Sequence, residues 1–307
     1  GETGELLVFL DRDTEFEDQE DIHCPGESVL GTDPEALRGF VWAPHWYDLV
    51  PLVFKSFRSW VGVGRTGVFP IKFGQENIVH DYHRQLLALK KCGRALGDSG
   101  VPSLIGEIGI PFDFNDGAAY LDGDFSLQIS AMDTTMQALD MALVSATLWN
   151  YSPDNSNLHG DGWNGEDLSI YSLDQVKPGE EKDLFAGGRA LQAIVRPYVM
   201  RCAGTPVLML FDIITRVFYL RFVHDPEITE APTIVFVPLY QYPREPRVQI
   251  SDGNYSYSPE TQTLEFYHNA SAGKVHTLML LPGVVSVLSF AKETDAPARV
   301  PSKNVEL

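Results

Sequence analysis

The stretch SLIGEIGIPFD, residues 103–113, sets one glutamate, Glu107, in the middle of an apolar run. An ionised carboxylate is costly to bury unless it is paired, hydrogen-bonded or used. Gly106 and Gly109 put no bulk around it, and the run supplies no adjacent cation. Glu107 therefore asks for a partner, and the segments on either side show what kind of fold could provide one.

Downstream, SLQISAMDTTMQALDMALVS (126–145) has helical spacing, and ATLWNYS (146–152) reads as a buried strand. Upstream, GQENIVHDYHRQLLALKKCGRALGDSG (74–100) has helical spacing through Ile78, Tyr82, Leu86, Leu89 and Leu96, with Gly97 and Gly100 as stop signals. Before it, GFVWAPHWYDL (39–49) is strand-like and Val50–Trp60 is apolar-periodic. GGRALQAIVRPYV (187–199), beyond a Gly/Asp-rich loop, predicts one more helix. Strands alternating with helices imply parallel strands with crossover helices, an α/β fold. Past Gly204 the rhythm changes. TPVLMLFD, RVFYLRFVHD, PTIVFVPLY, PRVQISDG, NYSYS, TLEFYH and HTLMLLPG are short runs bounded by turn residues, the pattern of an antiparallel β-sandwich. The expected organisation is a strand (LLVFL, 6–10) and acidic loop over 1–38, an α/β unit over 39–203, a β-sandwich over 204–295 and a tail over 296–307.

The chain has 307 residues, enough for one large core or two domains. Its 42 acidic and 23 basic residues give a formal charge of -19, with much of the acid in DRDTEFEDQED (11–21). A nucleic-acid binder needs a basic footprint, and none is present. Cys24, Cys92 and Cys202 are odd in number and far apart, and read as reduced thiols. Asn150, Asn254 and Asn269 each begin an N-x-S sequon, which matters only in a secreted chain. Neither a signal-peptide pattern nor an apolar run of spanning length is present, so an intracellular location is expected.

In a parallel α/β fold, catalytic side chains gather at the C-terminal ends of the strands. His45 and Tyr47 lie two apart, so strand geometry places them on one face. Glu107 ends the next strand, and Trp149-Asn150-Tyr151 ends the one after. A carboxylate, an imidazole, a phenol and an indole at one mouth suit a sugar: the indole stacks on the apolar ring face and the polar groups hold hydroxyls and developing charge. Taken singly, His45, Tyr47 and Trp149 are more often core residues; together, on successive strands, they favour a site. His80 and His83 have helical i, i+3 spacing but lack a third ligand, so a solvated helix face is the better reading, and no metal site is expected. The loop PDNSNLHGDGWNGED does not meet the calcium-loop spacing.

APHWYDL, PSLIGEIGIPFD and ATLWNYSPDNSNLHGDGWNGEDLSIYS, followed by GGRALQAIVRPY and a β-sandwich, resemble glycoside hydrolase family 5. The likeness is to its endoglycoceramidase-related branch, the fungal glucosylceramidases and sterylglucosidases, and runs from about residue 39 to about 283. The resemblance implies the C-terminal half of a (β/α)8 TIM barrel followed by the sandwich. It makes Glu107 the nucleophile, His45 and Tyr47 the H-x-Y pair of the sixth barrel strand, and Trp149 the indole that packs on the sugar. Asn150, Asp154, Asn155, Asp161, Trp163 and Asn164 become sugar contacts from the loop after the eighth strand, although the same loop also reads as a solvated Gly/Asp turn. The implied reaction is retaining hydrolysis, with a second carboxyl about 5–5.5 Å from the nucleophile as acid/base, and without a cofactor.

The family's acid/base lies in an N-E-P motif, which this sequence does not contain. The expectation is that an N-terminal half of the barrel, in the same gene or a separate chain, supplies it, and that this chain alone does not turn over. The expected substrate is a lipid glucoside, steryl glucoside or glucosylceramide, with transient contact at a membrane surface. The apolar segment DLVPLVFKSFRSWVGVG (48–64) would admit the lipid or would serve as an ordinary buried barrel helix. The competing reading is a non-catalytic carbohydrate- or glycolipid-binding fragment.

Overall fold

The computed structural model describes residues 8–10, 39–64, 70–96, 100–228 and 230–283. The acidic stretch 11–38, Cys24, Gly97, the tail 296–307 and the part of the expected sandwich past residue 283 lie outside the described residues.

The first half is built on parallel strands. Strand β1 (Val8–Leu10) pairs in parallel with β2 (Phe40–Trp42). Helix α1 (Leu49–Phe54) follows, capped by Asp48, whose carboxylate accepts from the Val50 N–H at 3.0 Å. The apolar segment expected over 50–60 is helical only as far as Phe54, because Lys55 takes a left-handed φ of 46° and closes the helix. The chain then makes an antiparallel hairpin, β3 (Val61–Val63) and β4 (Ile71–Phe73). Helix α2 (Gln75–Arg94) leads to β5 (Leu104–Ile108), which meets the β2 segment in parallel through bridges at Trp42–Ser103 and His45–Glu107. Helices α3 (Phe114–Asp122) and α4 (Ser126–Ala142) cross back to β6 (Ser145–Leu148), parallel to β5. The spatial order is therefore β1-β2-β5-β6. Ile78, Tyr82, Leu86 and Leu89 recur every three or four residues on α2 and bury against Ile105, Ile108, Ala138 and Leu139. One face of the parallel strands is thus covered by α2 and α4.

The helix expected over 187–199 is a single turn, α5 (Leu191–Ile194). Gly187 and Ala190 both have positive φ, and Pro197 disfavours helical backbone at Arg196. Strand β7 (Tyr198–Arg201) follows at once and pairs with β10, so the sandwich begins ahead of the expected Gly204.

The remaining strands are β8 (Gly204–Asp212), β9 (Val217–His224), β10 (Thr233–Phe236), β11 (Arg247–Ile250), β12 (Asn254–Ser258), β13 (Thr263–Tyr267) and β14 (Val275–Leu281). They form two four-stranded antiparallel sheets, ordered β12-β13-β10-β7 and β11-β14-β9-β8. Strict alternation sends Phe218, Leu220 and Phe222 of β9, and Leu278 and Leu280 of β14, against Val235, Leu264 and Phe266 of the other sheet. Arg196 fastens α4 to this unit. Its guanidinium bonds Asp140 at 2.7 Å, Asp133 at 3.3 Å and the Phe211 carbonyl of β8 at 3.1 Å.

Cys92 is disulfide-bonded, which corrects the expectation of reduced thiols; Cys202 is free, and burial pushes its thiol up to about 11. Among the described residues no helix is long and apolar enough to cross a membrane.

Candidate active site

The segment Trp42–Tyr47 divides its side chains by parity. Trp42 and Trp46 turn toward α2, where their indole N–H groups donate to the Leu89 carbonyl at 2.9 Å and to Gln85 Oε1 at 3.0 Å. Both rings are buried. With the even positions fixed on the helix side, His45 and Tyr47 are left on the opposite face. Backbone bonds from Gly106 N–H to the Pro44 carbonyl and from Trp46 N–H to the Glu107 carbonyl, both 2.9 Å, hold this segment to β5.

Glu107 reaches the same face by a bulge. The register of β5 on β6 runs from Ile105 opposite Ala146 to Ile108 opposite Leu148, three steps on one strand against two on the other. Ile105 and Ile108 are both fully buried under α2 and α4. Without the extra residue, Glu107 would share the core face of Ile105; with it, the carboxylate turns out of that core. Gly106 makes the close approach possible, since a Cβ there would lie 2.9 Å from the Ala43 carbonyl oxygen and 3.2 Å from the His45 ring.

Two groups converge on one oxygen of Glu107. The Tyr47 hydroxyl donates to Oε2 at 3.0 Å, and His45 Nδ1 stands 3.3 Å from the same atom. Burial first, then the charge of Glu107 and the bond to it, hold the Tyr47 phenol far above its usual range, so it remains a donor. Among the described residues both contacts fall on Oε2 and none on Oε1. The carboxylate is thus oriented through one oxygen with the other available for chemistry, and its side chain is 28% exposed.

Trp149 follows the end of β6, its backbone beside Ile108 and Gly109, the two residues after Glu107. Its N–H donates to the Ile108 carbonyl at 2.9 Å, and a Cβ on Gly109 would come within 2.1 Å of the Trp149 carbonyl oxygen, so only glycine fits there. The Trp149–Asn150 peptide is cis. The loop that follows separates the other expected sugar contacts. Asp154, Trp163 and Asn164 are exposed on it, Trp163 by 61%. Asp161 instead accepts four bonds from its own loop: Asn150 Nδ2 at 3.0 Å, Asn155 Nδ2 at 2.8 Å, and the N–H groups of Leu168 and Ser169 at 2.9 and 3.2 Å. Asn155 is fully buried, with its amide also on Asp167 at 2.9 Å. Asn155 and Asp161 thus also brace the loop from within. Asn150 is half-buried and shares that network.

Three residues not singled out from sequence complete the arrangement. Buried Arg189 clasps Asp167 with both guanidinium ends, at 3.2 and 2.5 Å, bonds the Ser169 carbonyl and lies 4.2 Å over the Phe112 ring. Burial alone would raise the Asp167 carboxyl, but Arg189 and the Tyr120 hydroxyl hold it below its usual range. Glu166, half-buried, adds negative charge that further raises Tyr47. It sits inside the quoted loop motif, whereas Arg189 was hidden by the expectation of a helix.

Residues 196–279 match the Glycoside hydrolase family 5 C-terminal domain. The chain is 36% identical over 250 residues to a glucosylceramidase of Rhizopus delemar, covering 74% of this chain and 36% of that protein. It is 28% identical over 288 residues to an ergosteryl-beta-glucosidase of Saccharomyces cerevisiae, covering 74% and 38%. Among solved structures, sterylglucosidase 1 of Cryptococcus neoformans superposes with a TM-score of 0.72 at 29% identity, over 81% of this chain and 40% of that one. The chain spans under two fifths of the length of those two curated relatives. By these likenesses the chain is a relative of the C-terminal portion of glycoside hydrolase family 5 proteins of the fungal glucosylceramidase and sterylglucosidase type.

Proposed function

We propose that this chain is the nucleophile-bearing part of a retaining β-glucosidase that cleaves lipid glucosides, steryl glucoside or glucosylceramide. The observation that carries the proposal is the carboxylate of Glu107, held at a strand end by two groups on Oε2 with Oε1 left over. Oε1 attacks the anomeric carbon as the bond to the aglycone oxygen breaks, giving a glycosyl ester on Glu107. A second carboxyl about 5–5.5 Å away protonates the departing oxygen, then takes a proton from the water that cleaves the ester. Trp149 packs on the sugar ring. In this proposal β1, β2, β5 and β6 are half of a (β/α)8 barrel. An N-terminal half completes the sheet and brings the acid/base. The relatives, more than twice as long as the matched region, agree with this division.

The lipid is assigned to the rim formed by α1 and the β3–β4 hairpin. Val53, Phe54, Trp60, Val63, Ile71 and Phe73 are all more than half exposed there, an apolar surface of the kind that meets a lipid chain or a membrane. Lys55, paired with Asp113 just past β5, ties α1 to the Glu107 side of the sheet.

The test is Glu107→Gln in the protein that carries both halves, assayed on steryl glucoside and glucosylceramide. Turnover should fall to background while the unfolding temperature stays unchanged, and the 307-residue chain alone should be inactive. Retained turnover in the variant would remove Glu107 as nucleophile. Glucoside binding without turnover in the wild type would favour the non-catalytic reading.

A further inference from the structure

Far from Glu107 in sequence, the sandwich gathers three imidazoles and a carboxylate that the glycosidase reading does not use. His224 ends β9, His276 lies on the neighbouring β14, and His268 follows β13 of the opposite sheet. Asp252 comes from the turn between β11 and β12. One ligand atom from each histidine lies within 4.8 Å of the other two.

His276 is the informative member. It occupies an inward position of β14 in phase with Leu278 and Leu280, and like them it is fully buried. An imidazole where the strand pattern asks for an aliphatic side chain costs stability unless its nitrogens are satisfied. Nδ1 lies 2.8 Å from Asp252 Oδ2. Asp252 also accepts from the Ser251 hydroxyl and the Asn269 N–H, each at 2.6 Å. A carboxylate only accepts, so His276 carries a proton on Nδ1, and the neutral ring then presents a lone pair on Nε2. That lone pair faces His224 Nδ1 at 2.9 Å, and the His268 ring centre lies 4.4 Å from that of His276. A carboxylate that orients one ring nitrogen while the other points at further imidazoles is the usual outer arrangement of a metal-bound histidine.

We propose that this end of the sandwich is a binding site for a divalent transition-metal ion, zinc in the first place, held by His224, His268 and His276. Asp252 orients His276, and water fills the fourth position. Three neutral imidazoles select zinc and its late neighbours over magnesium or calcium, which prefer oxygen ligands. His224 and His268 are half-buried rather than sealed, so the ion has a route in from solvent. Ligand atoms about 2.0–2.1 Å from a tetrahedral zinc lie about 3.4 Å apart. His224 and His276 therefore open by about half an ångström, and His268 swings in. The ion replaces the proton shared between His224 and His276. Neutral His224 moves that proton from Nδ1 to Nε2 through solvent and keeps its charge. Because the ligands come from both sheets, the bound ion staples the open end of the sandwich.

The experiment uses the untagged 307-residue chain, stripped with chelator and checked for folding by circular dichroism. Zinc chloride is titrated by calorimetry and cobalt chloride by visible absorption. One equivalent of zinc should bind, and cobalt should give the intense visible bands of a tetrahedral site. His268→Ala should lose both signals. Asp252→Asn, which keeps the shape but not the charge, should weaken zinc about 10–100-fold. Both substitutions touch partly exposed side chains, so the test does not depend on His276→Ala folding. Absence of saturable zinc binding, or binding unchanged in His268→Ala and Asp252→Asn, overturns the proposal.

Discussion

Replacing Tyr47 by Phe removes one hydroxyl and leaves the ring, so the packing around β2 survives. The hydroxyl donates to Glu107 Oε2 at 3.0 Å. A hydrogen bond to a charged group contributes about 1.5–3 kcal/mol. The partly exposed carboxylate places this one near the middle, about 2 kcal/mol, which is about thirtyfold in rate. The two chemical steps feel it differently. As Glu107 attacks, its oxygens lose negative charge and the bond weakens, so the loss of Tyr47 costs the first step little. When the glycosyl ester breaks down, Glu107 departs as a carboxylate, charge returns to Oε2, and the missing donor is felt in full. In the protein carrying both halves, kcat of Tyr47→Phe should therefore fall about thirtyfold, with KM falling alongside it. An aryl glucoside with a good leaving group should release a burst of aglycone equal to the enzyme present. Equal losses in kcat and kcat/KM without a burst would mean that Tyr47 does not act on the departing carboxylate.

Two further outcomes are expected. Arg196→Met leaves Asp133 and Asp140 buried without their cation and should cost about 3–5 kcal/mol in urea unfolding at pH 7.5. Burial pushes Asp140 up to about 6 despite Arg196. A raised carboxyl favours the fold most at low pH and loses that contribution as pH rises through about 6, so the variant's penalty should shrink at pH 5; a penalty independent of pH would refute the assignment. At the apolar rim, Phe54→Ser with Trp60→Ser should lower kcat/KM on the lipid glucoside about tenfold or more and leave a water-soluble aryl glucoside unaffected. Equal losses on both substrates would refute a role in holding lipid.

Helices α2 and α4 were legible because their apolar residues keep a helical period. The α2 positions Ile78, Tyr82, Leu86 and Leu89 are the buried ones, and each short run past Gly204 became a strand. Elements whose ends are set by single backbone conformations were not legible. Left-handed Lys55 and Ala190 cut two helices short, and nothing in local composition marks them. In the loop after β6, composition announced many polar groups but not their direction. Asp161 has the residue type of a sugar contact, and the four loop donors that it accepts from could not be read from composition. Arg189 and Asp167, which fix the loop, lie 22 positions apart. The histidines of the sandwich are equally scattered, and only antiparallel pairing brings them together.

Glu107 shows where sequence periodicity stops being sufficient. Its apolar neighbours mark it as unusual, but strict alternation places it on the face of Ile105, inside the core under α2 and α4. There it would have been a buried carboxylate with no cation, destabilising and chemically inert. The unequal count between β5 and β6 lets Ile105 and Ile108 both stay in that core while the residue between them turns to the other face. Gly106 is part of the same device, since any side chain there would press on Ala43 and His45 and push the β2 segment away. The parity of the β2 segment answers from the other side. Trp42 and Trp46 bond to α2, which obliges His45 and Tyr47 to face Glu107. The site therefore depends on two departures that must agree in phase, a bulge in one strand and a pair of indole anchors beside the other. A shift of either by one residue would bury the carboxylate or turn its donors away.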